Sequence, residues 1–362
     1  MYYKNYFRQS KELATYKNRI EYFDIAKGIA ILLVVLGHCR YQLIENFVCM
    51  FHMPVFLFVS GYFWKDEFIT RPLLLISKRI KTLYLSYVKY EIAFFLLRPL
   101  FLYLSWYGER EIPFKFSIKF ISIEICKIII GMGREQLLGA FWYLITLMFI
   151  IIIFLVISFV TKKIQDTEEV RFIFVTIVFL IGCVLRDYII VPRFGPALLG
   201  IVFYYAGYFV KNKGWNIWVS KMSIIVSMIV LIVCYRYGYC ALGTCEITDP
   251  PFMIAVGGIG IYLVLAISKF VADKRKRICS LLSLFGANTI IVMAFHEVGF
   301  KLLTSLLYYS KIFNFTLEDM NRVPIGNNSL PYVIPYFLSA VIFCFFIIKI
   351  KKKMVPFLSG GN

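Results

Sequence analysis

Three histidines occur in 362 residues, His38, His52 and His296, and each falls within a long apolar run. An imidazole titrates near 6.5, and burial favours its neutral form. A neutral buried imidazole accepts a proton from a hydroxyl nucleophile, or carries an acyl group transiently. Three of them could equally bind zinc, and two could ligate haem iron. The plain alternative is an imidazole that satisfies a local backbone carbonyl. The run that contains His38 also holds Asp24 and Lys27. Lys27 and His38 are 11 positions apart, so on a helix they lie about 16 Å apart along the axis and only about 20° apart around it. They form one polar stripe, and ionisable groups in hydrocarbon are expensive enough to mark function. Arg40, Glu45 and Asn46 lie between His38 and His52. They point to a turn rather than one helix, which weakens a haem-stacking geometry.

The elements that position these groups follow from composition. The chain is 60% hydrophobic, 18% aromatic and only 17% charged, with a mean hydropathy of +0.76. Soluble domains sit near half apolar and a quarter charged, so an all-α bundle of membrane-spanning helices is expected. A span takes about 20 apolar residues. Ten such runs are read at 24–44, 47–64, 82–104, 140–160, 172–190, 194–210, 222–240, 252–270, 284–308 and 331–349. The net charge of +19 would suit nucleic acid in a soluble chain. Here the basic residues cluster between apolar runs, as in cytoplasmic loops, and nucleic-acid binding is a poor explanation.

Orientation follows from the same loops. With a cytoplasmic N-terminus and ten spans, about 25 of the 40 Lys and Arg residues fall on the cytoplasmic side and about 11 on the other. The remaining four, Lys27, Lys89, Arg98 and Lys301, lie within spans. Both termini are therefore expected in the cytoplasm. The three histidines then share a depth, roughly 18 to 21 Å from the cytoplasmic ends of their spans. Residues 1–19 are polar and basic, which argues against a removed signal peptide. Residues 65–81 mix Leu73 to Ile76 with Arg71, Lys78, Arg79 and Lys81, which suits a basic segment on the inner membrane surface. Residues 114–130 read as an interfacial helix on the outer side, covering a cavity. Cys240 and Cys245 share a loop and could pair in an oxidising compartment. No internal repeat or linker is visible, so residues 1–362 read as one domain.

Several motifs resemble one family. Asp24-Ile-Ala-Lys27-Gly28-Ile-Ala-Ile-Leu-Leu-Val-Val-Leu-Gly37-His38 resembles the first span of the bacterial integral-membrane acyltransferase family (acyltransferase 3, O-acetyltransferase-like). That family shows a basic residue, ten intervening residues and a histidine. Phe51-His52-Met53-Pro54 through Ser60-Gly61-Tyr62 is similar to its second-span motif. Lys78-Arg79-Ile-Lys81, Phe141-Trp142-Tyr143-Leu144, Tyr205-Ala206-Gly207-Tyr208 and Gly286-Ala287-Asn288 with His296 also fit. Lysine at 27 departs from the commoner arginine, keeping charge but losing the planar fork.

The resemblance implies a multi-pass protein of the bacterial cytoplasmic membrane. It would move an acyl group, usually acetyl, from acyl-CoA to a hydroxyl of a carbohydrate or glycolipid. Acyl-CoA would be a co-substrate, with no tightly bound cofactor and no metal. Lys27, Arg79 and Lys81 are expected to hold its phosphates from the cytoplasmic side. His38 would be general base or acyl carrier, with His52 and His296 in positioning or proton relay. Glu135, Trp142 and Glu297 are expected to meet the acceptor. A transporter or flippase of a glycan-type substrate is the alternative, although no internal duplication supports it. A metal- or haem-dependent oxidoreductase is a further one. The orientation is open to test: a C-terminal green fluorescent protein fusion is expected to fluoresce, and a C-terminal alkaline phosphatase fusion to be inactive. The reverse pattern would overturn it.

Overall fold

The computed structural model describes residues 21–108, 114–133, 135–186, 188, 193–272, 276–311, 316–321 and 330–358. The basic tail read at 1–19 lies outside them. The architecture is all-α and membrane-embedded, with one two-residue hairpin. In chain order the first helices are α1 (21–37), α2 (Gln42–Cys49), α3 (His52–Tyr62), α4 (Glu67–Thr70) and α5 (Pro72–Arg79). A π-helical turn (Ile80–Tyr84) joins α5 to α6 (Leu85–Tyr103), followed by α7 (Ile118–Ile129). A 3-10 stretch (Gln136–Phe141) leads into α8 (Trp142–Ile164), α9 (Glu168–Leu185), α10 (Phe194–Asn212) and α11 (Lys221–Tyr235). Strands β1 (Cys240–Ala241) and β2 (Glu246–Ile247) precede α12 (Pro250–Ala272), α13 (Lys276–Ala287), α14 (Thr289–Ser310), α15 (Leu317–Asn321) and α16 (Leu330–Leu358).

Among the described residues, six helices are long and apolar enough to cross a membrane. The other four expected spans are present as helices but fall short by length or charge. Helix α1 is described from residue 21 and ends at 37. Helix α6 carries Lys89, Glu91 and Arg98, and α9 opens on Glu168, Glu169 and Arg171. Helix α11 stops at Tyr235, because residues 236–247 form the hairpin that closes Cys240 against Ile247. Aromatic loop residues had completed the apolar run in sequence. No disulfide joins Cys240 and Cys245. The hairpin register sets Cys240 across from Ile247, not Cys245.

Two expected spans are broken. Helix α1 ends before His38, where Arg40 takes a left-handed φ of 58° and stops the helix. His38 therefore sits on the turn that follows α1, not within a helix running to 44. The run 284–308 breaks at Asn288, whose side chain donates to the Leu284 carbonyl at 2.9 Å. Elsewhere, α7 occupies most of 114–130 but runs beside α6: Arg98 of α6 reaches Glu124 at 3.1 Å, and Tyr84 donates to the Ile129 carbonyl at 2.6 Å. In the 65–81 segment Leu73 and Leu74 are exposed while Leu75 is buried.

Between apolar helices in lipid there is no water-driven collapse, so small residues that admit close backbone contact hold the bundle. Two reciprocal glycine contacts do this. A Cβ on Gly61 of α3 would overlap the Tyr204 carbonyl oxygen of α10, and one on Gly207 of α10 would overlap the Phe58 carbonyl oxygen of α3. Gly28 of α1 meets the Leu282 carbonyl of α13, while Gly286 meets that of Asp24. The first contact sets His52, the second sets Lys27. The obstacle at each is backbone, which has nowhere to move, so Gly207→Ala is expected to cost at least the ~1–3 kcal/mol of overpacking. Thermal unfolding in detergent checks this, with Gly258→Ala, whose Cβ would meet nothing within 4 Å, expected to unfold like the native chain.

Candidate active site

A cavity of about 210 Å³ is walled by α1, α3, α5, α8 and α14. Lys27 and Arg79 line it together with His38, His52, Ser60 and Trp142. Lys27 pairs with Asp24 at 2.7 Å. The Arg79 Nε is buried and makes no hydrogen bond. Arg79 lies at the end of α5 where the π-helical turn begins, a distortion that re-aims side chains and often accompanies functional sites. Lys81 is exposed and does not line the cavity.

Two of the histidines are in contact, and two line the cavity. His38 and His296 meet edge to face, ring centroids 5.0 Å apart. The His38 Nδ1 lies 2.8 Å from Glu297 Oε1, and His296 Nε2 lies 3.5 Å from the same oxygen. His52 Nδ1 donates to the Val48 carbonyl at 2.6 Å, and His296 Nδ1 to the Val292 carbonyl at 2.9 Å. These bonds place a proton on Nδ1 of both rings, because a carbonyl only accepts. A neutral His52 then keeps its lone pair on Nε2, whereas His296 Nε2 faces the Glu297 carboxylate. The plain reading and the chemical one thus hold together for His52: one nitrogen satisfies the backbone and the other is left free.

His38 and His52 line the cavity, whereas His296 and Glu297 do not. Glu297, expected beside His296 in positioning or relay as well as toward the acceptor, is buried and accepts from the His38 ring. The ligating atoms of His38, His296 and Glu297 lie within 4.8 Å of one another, close enough to hold a metal ion. A metal between His38 Nδ1 and Glu297 would have to displace their hydrogen bond, and His296 has only Nε2 to offer.

Glu135, expected to meet the acceptor, is buried. It pairs with Arg98 at 2.5 Å beside a second cavity, which shares Trp142 with the first. That cavity is lined also by Glu91 and Gln136, which sequence reasoning passed over. A carboxylate inside the expected span 82–104 was the available signal for Glu91.

The chain matches the model of an acyltransferase domain over residues 20–349. It is 46% identical over 57 residues to nodulation protein NolL of Sinorhizobium fredii (strain NBRC 101917 / NGR234), a match that covers 12% of this chain and 16% of that protein. No solved structure matches the chain. Removing one partner of a buried ion pair costs about 3–5 kcal/mol. Arg98→Met is therefore expected to lower the denaturation midpoint sharply in detergent, and Arg98→Met with Glu135→Leu to recover much of the loss. A double variant no more stable than the single one would contradict the pairing.

Proposed function

Since the chain belongs to the integral-membrane acyltransferase 3 family, we propose that it transfers an acyl group, acetyl in the first instance, from acyl-CoA to a carbohydrate hydroxyl. The observation that carries this reading is the 2.8 Å contact between His38 Nδ1 and Glu297 on the wall of the cavity that also holds Lys27 and Arg79. A carboxylate that accepts from Nδ1–H holds the ring in one orientation and stabilises the imidazolium formed when Nε2 takes a proton. The cations at the other end of the α1 stripe complement the phosphates of the donor. The reading carries the expected arrangement with it: ten spans, both termini in the cytoplasm, in a bacterial cytoplasmic membrane. The acceptor is a cell-surface or lipid-linked glycan.

The reaction on this reading begins with the acyl thioester entering past Lys27 and Arg79. The cavity of about 210 Å³ is below the ~300–1,000 Å³ that houses a drug-sized ligand. It takes the acyl and pantetheine end while the nucleotide stays outside. The acceptor hydroxyl oxygen attacks the thioester carbonyl as His38 Nε2 removes its proton. A C–O bond forms and the C–S bond breaks. The proton on His38 passes to the departing sulfur, so CoA leaves as the free thiol. His52, with Nε2 unprotonated, and the buried His296 serve as relay and support. Transfer through an acyl-imidazole on His38 Nε2 would use the same groups in two steps.

The test follows free CoA thiol and labelled ester product with purified protein in lipid. His38→Ala is expected to lower kcat by about 10²–10⁴-fold, the usual contribution of a positioned base. Glu297→Gln keeps the shape but loses the charge that stabilises imidazolium, and is expected to fall by ~10²-fold or more at unchanged donor KM. Turnover that survives His38→Ala in folded protein would sink the reading. The His38, His296 and Glu297 grouping favours one competing reading, a metal centre. Activity is expected to persist after dialysis against a strong chelator, and its loss with recovery on added zinc would favour the metal.

A further inference from the structure

The second cavity, about 240 Å³ in volume, is left unused by the acyl chemistry above. It is built from α6 and from the non-helical stretch between α7 and the 3-10 turn, which runs back along α6: the Gly133 N–H donates to the Tyr87 hydroxyl at 2.7 Å. Gly131 takes a left-handed φ of 83°, and a Cβ on Gly133 would overlap the Glu91 carboxylate. Irregular backbone among apolar helices is tolerated where it lines a polar cavity. This one is polar. Glu91 Oε2, Glu135 Oε2 and Gln136 Oε1 are buried oxygens with no hydrogen-bond partner, and Glu91 and Glu135 are only 2% and 3% exposed. A buried acceptor left unpaired carries its desolvation penalty uncompensated, and three of them around one cavity call for a ligand that donates.

Charge decides what kind of donor. Glu135 and Glu124 are held by Arg98, and Glu124 also by Lys127 at 2.7 Å. Arg193 lines the cavity opposite Glu91 and Glu135. The carboxylates are matched by cations, so the partner for the free oxygens is a neutral hydroxyl-rich group rather than an amine. Trp142 adds a broad apolar face and is the one side chain common to the walls of both cavities. A pyranose has both required surfaces, a rim of O–H donors and a face of C–H groups. We infer that this cavity is a pyranose-binding subsite, with Glu91, Glu135 and Gln136 accepting from ring hydroxyls and Trp142 stacking on the ring. Its role as the acceptor site for His38, reached past Trp142, rests on the acyl-transfer reading; its capacity to bind the sugar does not.

Gly139 provides the test, because it lines the cavity and a Cβ there meets nothing within 4 Å. Gly139→Phe adds bulk at the cavity wall from a Cβ that meets no neighbour, and Glu91→Gln changes hydrogen bonding while keeping shape. The probes are methyl glucoside, methyl galactoside and methyl N-acetylglucosaminide, presented to the full chain in lipid nanodiscs. Saturation-transfer NMR is expected to show transfer to the ring protons of at least one glycoside. At least tenfold weaker binding is expected in Gly139→Phe and Glu91→Gln, with both variants unfolding thermally as one transition. In turnover assays the same glycoside's KM rises at least tenfold while the acyl-CoA KM stays within twofold. No transfer from the native protein to any of the three, or equal transfer in native and both variants, overturns the inference. Glycoside binding that both variants weaken, in a native protein that never releases CoA from any acyl-CoA, would uphold the sugar site and overturn the acyl-transfer reading instead.

Discussion

The contact between His38 Nδ1 and Glu297 Oε1 joins residues 259 positions apart in the chain and fixes α1 against α14. In a medium that offers no water, a carboxylate and an imidazole left alone would each carry a desolvation penalty. Together they satisfy one another, and the carboxylate defines which ring nitrogen keeps its lone pair. The His296 ring packs edge-on against His38 and limits how far that ring can turn. His52, on α3, completes the end of the cavity from the opposite wall. The chemistry on offer at the cavity thus depends on how α1, α3 and α14 are registered against each other.

That register is set by backbone contacts, not by side-chain volume. Gly28 and Gly286 let α1 and α13 touch through their carbonyls, next to the turn that leads into α14. Gly61 and Gly207 do the same for α3 and α10. Helices at such distances slide little, because any shift drives a Cα hydrogen into a carbonyl oxygen. The exposed faces carry the opposite character. Ile225, Val226, Ile229, Ile232 and Val233 of α11 are all exposed and form a surface suited to lipid tails. The bundle is therefore close-packed along its glycine seams and apolar where it meets hydrocarbon, and Trp142 is shared by the walls of two cavities.

Much of this was legible in the sequence. Lys27 on α1 and His38 on the turn that follows it line one cavity, although the helix stops at residue 37. The turn expected between His38 and His52 falls at Arg40, while Glu45 and Asn46 lie inside α2. Arg79 and Trp142 line the same cavity as Lys27, His38 and His52. Other readings failed for local reasons. Hydropathy could not show that α11 ends at Tyr235, since Tyr237, Tyr239 and Cys240 beyond it still count as apolar. Lys81 followed Arg79 in a basic segment, but the π-helical turn that starts at Ile80 separates them, leaving Arg79 on the cavity and Lys81 exposed.

The sequence by itself determined the solvent and the inventory: an apolar chain with rare ionisable groups must be helical in lipid, and its few histidines must be accounted for. Tertiary structure decided the partners. That Glu297 stands behind His38, that His296 is withdrawn from the cavity, and that Glu91 and Glu135 face one space across a non-helical loop are consequences of helix packing. Spacing along one chain specifies the angle between residues on the same helix. The distance between residues on different helices is fixed only when the glycine contacts choose the crossing, and hydrogen bonds and ion pairs in a low-dielectric interior act only at that distance.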